Sequence, residues 1–287
     1  MPLAVRRPAG YKGRETGGGL TVSSWTPQRV LDAAAATETV PEGAVEVRTQ
    51  DYRLVRHADW ALGPAGGAAQ VTWSRTARPL DEVIDEVAAR VRYWDLPGVA
   101  WWVSAVTEPP GTDDRLRARG AGLIDAAQVL ARDLAGDLPR PDLPAGVSVE
   151  LVRDERTFRA ALAVSVQGWD IIEPDETEIA RQLTETLRDL ASWTAFRVVA
   201  VVDGEPVSAG ACRLFGEVAH LWGAITLPAA RGHGSYRAVL AERLRLAREH
   251  GATLALAKGR ALASGPILLR SGFTDYGEER CFWLPVM

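Results

Sequence analysis

Five consecutive residues, Arg231-Gly232-His233-Gly234-Ser235, carry the clearest chemistry in this chain. They follow an alternating run that Pro228 closes, since proline offers no N–H to a strand ladder. From about Tyr236 the apolar positions Val239, Leu240, Leu244 and Ala247 recur at helical spacing. A glycine-bearing turn that opens a helix leaves several backbone N–H groups unpaired at the positive end of a helix dipole. Such a turn binds an anion, most naturally a phosphate or diphosphate. It is not a P-loop, because no Gly-Lys-Ser/Thr follows the glycines. Nor is it a dinucleotide fingerprint, because the third glycine is missing and the turn lies late in the chain.

The elements that must position this turn can be read on both sides of it. Upstream, His220, Trp222, Ala224 and Thr226 alternate with Leu221, Gly223, Ile225 and Leu227, which is strand periodicity. Downstream, the helix ends at Gly251, and Ala252–Ala257 is a short apolar run expected to be a buried strand. Ser264 to Phe273 then reads as a helix, with Ser264 as its cap, Pro266 in the first turn and Gly272 at a left-handed C-terminal position.

In this order the two motifs resemble the GNAT acyltransferases over roughly the last half of the chain. The family signature is Gln/Arg-x-x-Gly-x-Gly/Ala after the fourth strand; Arg231 takes its first position and Gly234 its fourth. Tyr236 stands at the sixth, where the family usually has a small residue. Ser264-Gly-Pro-Ile-Leu-Leu-Arg-Ser-Gly-Phe273 looks like the family's fourth helix and its Gly-Phe ending.

The resemblance implies acetyl-CoA as cosubstrate. Its pantetheine would add along the fourth strand at Ala224, Ile225 and Thr226, while Arg231, Gly232, His233, Gly234, Ser235 and Tyr236 cradle the diphosphate and Ser264 lies nearby. Trp169 and Asp170, between the first two helices of the half, and Trp222 would contact the acceptor. Histone acetyltransferases of this fold carry a catalytic glutamate four residues before the position of Ala224. His220 stands there, with an ordinary pKa near neutrality, and is the candidate general base. The alternative is a pocket-lining or core histidine. The family's general-acid tyrosine is Leu268 here, so the leaving thiolate's proton would come from Tyr276, Ser264 or water. The family's asparagine is replaced by Ala261.

Composition bounds the rest. The chain has 287 residues, 47% of them hydrophobic and 24% charged, with a net charge of −4, and its pI is near 5.7. These values argue against a general nucleic-acid or anionic-membrane surface. No apolar run approaches a membrane span, and Met1–Leu20 has arginines but no apolar core, so a disordered tail is expected there rather than a signal. Cys212 and Cys281 lie far apart without His or Cys neighbours, which suggests reduced thiols in a cytoplasmic protein and no metal site. Lys12 and Lys258 are the only lysines.

The first half reads as strand, helix, strand, short helix, glycine, strand, with an amphipathic helix over Leu80–Tyr93. That order parallels the second half, but the turn Arg75-Thr-Ala-Arg-Pro79 contains no glycine and could not approach a diphosphate. The expected fold class is therefore α+β: two GNAT-like mixed-sheet domains in tandem, with the coenzyme site in the C-terminal one. The expected divisions are a tail over 1–20, a degenerate unit over 21–138, a proline-rich linker over 139–146 and an acyl-CoA domain over 147–287. An unrelated α+β domain is the alternative for the first half. The expected activity is direct acetyl transfer to the amine of a small molecule by a monomer, a dimer being the alternative. A longer acyl or aminoacyl donor, or a non-catalytic acyl-CoA sensor, are the rival readings.

Overall fold

The computed structural model describes residues 25–37, 40, 43–57, 69–138, 146–260 and 263–286. The tail expected over 1–20, linker residues 139–145 and Ala261 lie outside these. In the first half the elements are α1 (Pro27–Ala36), β1 (Val45–Arg48), β2 (Tyr52–Arg56), β3 (Ala69–Ser74), α2 (Leu80–Tyr93), β4 (Gly98–Val103), α3 (Thr112–Ala118) and β5 (Gly122–Asp133). The second half holds β6 (Val147–Leu151), α4 (Glu155–Trp169), α5 (Glu176–Ala191), β7 (Ala195–Val202), β8 (Glu205–Phe215), β9 (Val218–Thr226), α6 (Ser235–Glu249), β10 (Leu254–Gly259), α7 (Gly265–Arg270) and β11 (Thr274–Pro285).

Local chemistry accounts for most of these boundaries. Thr26 Oγ1 accepts from the Arg29 N–H at 3.3 Å and Pro27 fills the first turn of α1, where no N–H is needed. The α2 stripe Val83, Ile84, Val87 and Val91 is fully buried. Asp203 and Gly204 both take positive φ, 50° and 91°, which is the turn that a two-residue hairpin between β7 and β8 requires. Helix α4 runs further than the apolar spacing suggests. Trp169 is its last residue, and Asp170 caps it in the left-handed region at φ 51°.

All eleven strands form one mixed sheet, in the order β1-β2-β3-β4-β11-β5-β10-β9-β8-β7-β6. Each half lends its last strand to the other. β5 pairs antiparallel with β10, and its Leu130, with Leu134 just after it, is buried in the core beneath α6 and α7. β11 pairs antiparallel with β4, and its Phe282 and Leu284 join the core under α2. Helix α1 likewise packs on the second half, with Val30 and Ala34 against Val218, Leu254 and Leu256, and Trp25 Nε1 donates to Thr253 Oγ1 at 3.0 Å.

Two irregularities in β9 open the sheet at one edge of that strand. Its parallel pairing with β10 covers only Val218–Leu221 against Leu254–Ala257, although both strands continue; beyond Leu221 they part. On the other side, Ala211 faces Trp222 and Ala209 faces Ile225, so Gly223 and Ala224 together oppose Gly210. This is a β-bulge, with Gly223 at φ 59°. The extra residue shifts the side-chain phase by one. Strict alternation would put His220, Trp222, Ala224 and Thr226 on one face. Instead His220 and Trp222 are in phase with Ile225, which packs toward α4, and Ala224 is not.

Candidate active site

Where β9 and β10 part, a cleft of about 1150 Å³ opens. The end of β9, the turn after it, the start of α6, the inner side of α7 and the C-terminal turn of α4 enclose it. Helix α4 approaches closely: a Cβ on Gly168 would lie 2.4 Å from Cγ1 of Ile225, so only glycine allows this contact.

The anion turn forms as its residue types dictate. Gly232 and Gly234 take φ 80° and 85°, conformations that favour glycine, and Gly234 is the N-cap of α6. As the cap carries no side chain, the first N–H groups of α6 receive no side-chain hydrogen bond. Ser235 Oγ, in a residue 1% exposed, has no hydrogen-bond partner among the described residues. A buried hydroxyl and a row of free N–H groups at one helix start are a donor set for an oxyanion, and a diphosphate fits it. The corresponding start of α2 is the opposite: it has no left-handed turn, and Asp81 and Glu82 occupy its first turn. Those carboxylates repel a phosphate.

The strand edge offers a second set. Leu227 N–H donates to Val207 O at 2.9 Å and Ile225 O accepts from Ser208 Oγ at 2.9 Å, so these peptides face β8. Those of Ala224 and Thr226, one residue out of phase, face the gap. Within the gap Arg231 Nε donates to Thr226 O at 3.2 Å, which leaves the Thr226 N–H open to a strand-like ligand.

Of the residues singled out from the sequence, Trp169, Trp222, Ala224, Ile225, Thr226, Arg231, Gly232, Gly234, Ser235, Tyr236 and Ser264 all line this one cleft. Four do not. His220 sits between Arg213 of β8 and Leu256 of β10, before the strands part. Tyr276 packs against the cluster beneath α1. His233 and Asp170 are exposed away from the cleft lining. Ser264 precedes α7 without a side-chain capping bond. Leu268, where the family has a tyrosine, lines the cleft with no hydroxyl to offer. The acidic run near the α4–α5 connection serves structure: Asp175 caps α5, Glu176 binds Arg159 at 2.7 Å and Glu178 binds Arg181 at 2.7 Å.

Two lining residues escape any reading of spacing. Arg243 is fully buried on α6, and Lys258 on β10 binds the buried Glu279 of β11 at 2.8 Å. In the sequence Lys258 stands out only as one of two lysines; its partner, Glu279, lies 21 residues on, in β11. Both cysteines lie outside the cleft lining, and burial pushes each thiol up to about 12.

Comparison with known proteins agrees with this architecture. Residues 164–263 match the family described as Acetyltransferase (GNAT) family. No curated protein sequence matches the chain. Among solved structures, a GCN5-related N-acetyltransferase from Kribbella flavida is similar at TM-score 0.66 and 19% identity, over 89% of this chain and 95% of that one. A tandem GNAT protein from the clavulanic acid biosynthesis pathway aligns at TM-score 0.59 and 19% identity, over 88% and 86%. A GCN5-related N-acetyltransferase from Sphaerobacter thermophilus aligns at TM-score 0.62 and 15% identity, over 85% and 83%. At these identities the likeness is one of fold. Among the described residues no helix is long and apolar enough to cross a membrane.

Proposed function

We propose that this protein, whose residues 164–263 match the GNAT acetyltransferase family, is an acyl-CoA-dependent N-acyltransferase, with acetyl-CoA as its reference donor and the amine of a small molecule as its acceptor. One observation carries the reading most directly: an uncapped helix start with the orphaned Ser235 hydroxyl opens onto the same cleft as the parted strands. N–H groups from Gly234 onward hold the diphosphate, and the Ala224 and Thr226 peptides pair with the pantetheine arm. The β-bulge at Gly223-Ala224 exposes backbone N–H groups that polarise the thioester carbonyl.

Transfer is direct. The neutral amine nitrogen attacks the carbonyl carbon, the C–S bond breaks, the sulfur leaves as thiolate and takes a proton from water, and the ammonium proton passes to water. Two features support this route. Among the described residues the cleft lining contains no carboxylate and no imidazole, and the buried thiols are held in their unreactive protonated form. Trp169 and Trp222, 49% and 39% exposed at the mouth, favour an acceptor with an apolar part beside its amine. Exchange of β5 and β11 within one chain supports a monomer, since each half already has the strand a partner would supply.

Calorimetric titration with CoA and acetyl-CoA tests the binding half of this reading, and thiol-reagent detection of CoA release across a panel of amines tests the chemistry. Binding without release would favour the second reading, an acyl-CoA sensor, for which Leu268 in place of a tyrosine is the supporting observation.

A further inference from the structure

Every charged side chain on the cleft wall is basic: Arg231, Arg237, Arg243, Lys258, Arg260 and Arg270 line it, with no acidic side chain among the described lining residues, in a chain of net charge −4. Several of these cations have evident work. Arg231 and Arg237 flank the diphosphate turn, Lys258 is paired with Glu279, and Arg260 lies 3.4 Å from Asp125. Arg243 is different. It is 1% exposed; its Cα stands eight residues beyond Ser235 on α6, and its side chain turns back along the helix to Val239 O and Tyr236, over Gly210 and Ala211 of β8.

Leu221, Ala257 and Leu268 line the same cleft as Arg243. Leu221 and Ala257 are the last residues that β9 and β10 pair, so the inner end of the opening between the strands is here. A donor whose diphosphate sits at the turn and whose arm follows β9 delivers its acyl group to this end. Arg243 Nη1 donates to Ala211 O at 3.1 Å and Nε donates to Val239 O at 3.4 Å. No carboxylate among the described residues pairs with it, and Tyr236, also on the cleft wall, is its side-chain neighbour. Two carbonyls use two of the five guanidinium N–H groups and none of its charge. A buried cation without a counter-ion is costly, and burial holds its pKa below the usual guanidinium value. The arrangement is complete only when an anion arrives.

We propose that Arg243 is a specificity-determining residue that, with Tyr236, receives a carboxylate at the far end of the donor's acyl chain, so that the favoured donor is the CoA monothioester of a short dicarboxylic acid. The inference rests on the acyl-CoA reading of the cleft and names the donor class within it. The planar fork of the guanidinium matches a carboxylate, and the Tyr236 hydroxyl adds a further donor.

The test is calorimetric titration of the full chain with size-matched donors: succinyl-CoA against butyryl-CoA, and malonyl-CoA against propionyl-CoA. The wild type is expected to bind the carboxylated member of a pair about tenfold or more tightly, as a charge-assisted hydrogen bond in a buried site provides. In Arg243→Met the ratio within the pair should fall to about one, and in Tyr236→Phe it should fall partway. Equal binding within both wild-type pairs overturns the inference while leaving the acyl-CoA reading intact. A ratio that survives Arg243→Met, with both members weakened alike, makes Arg243 a structural brace of the bulge and overturns it as well. Failure of CoA and every donor to bind removes the acyl-CoA reading itself. The wild-type comparison needs no variant, so a misfolded Arg243→Met leaves the test decisive.

Discussion

Gly210→Ala is the most informative single change. Gly210 stands opposite the bulge, and a Cβ built there would lie 2.9 Å from Arg243 Cζ, 3.0 Å from Val239 Cγ1 and 3.1 Å from Arg243 Nε. The end of an arginine usually moves aside cheaply, but this one is buried and held by Ala211 O and Val239 O. Displacing it gives up a charge-assisted bond of about 1.5–3 kcal/mol, and overpacking adds about 1–3 kcal/mol. The two costs share one displacement, so about 3 kcal/mol in total is expected. At about 2–4 °C per kcal/mol for chains of this size, Tm should fall by about 6–12 °C. Scanning calorimetry measures it, with the acyl-CoA affinities of the same preparation alongside. In an Arg243→Met background the flexible thioether can yield, and the cost of Gly210→Ala should drop to about 1 kcal/mol or less. A Tm loss that is negligible, or identical in both backgrounds, would refute the claim that Gly210 and Arg243 are packed as one unit.

Three further outcomes are expected. Gly234→Val forces a β-branched residue to φ 85° at the helix cap, straining the backbone by about 1–3 kcal/mol and weakening CoA binding at least tenfold by calorimetry; unchanged affinity would remove the diphosphate cradle. His220→Gln should leave the pH–rate profile as it is, because the imidazole lies where β9 and β10 are still paired; a lost ionisation in that profile would put the ring into the reaction. Because burial raises both thiols to about 12, their thiolates are scarce at pH 8, so Cys212 and Cys281 should resist a thiol reagent until the protein is unfolded; fast labelling of the native chain would contradict their burial.

How much could be read in advance depends on the range of the forces involved. The helix over Leu80–Tyr93, the Asp203-Gly204 hairpin and the turn at Arg231–Ser235 depend on neighbours in sequence: apolar spacing, positive φ and helix-end donors. Eleven of the residues singled out as site candidates line one cleft for the same reason, since most of them lie on one strand–turn–helix segment. The misplacement of His220 relative to Ala224 has a specific cause. Alternation assumes one residue per pleat, and nothing in Trp222-Gly223-Ala224 states that two of them oppose Gly210. Tyr276 is a candidate proton source because Leu268 stands where the family has its tyrosine, but it packs beneath α1, an element some 240 residues earlier.

The order of residues by itself specified the helix start after β9, because a helix start without a capping side chain and with glycines at left-handed positions is a local electrostatic object. It also determined that two units of similar order succeed one another, since hydrophobic periodicity is local too. That the halves trade their last strands follows from long-range packing, because the pairing of β4 with β11 and of β5 with β10 joins residues more than a hundred positions apart. The same long-range packing decided which of the cations lining the cleft is buried. Arg243 looks like any helical arginine in the sequence. Its burial and its bond to Ala211 O, with no carboxylate paired to it among the described residues, exist only once α6 is laid across β8.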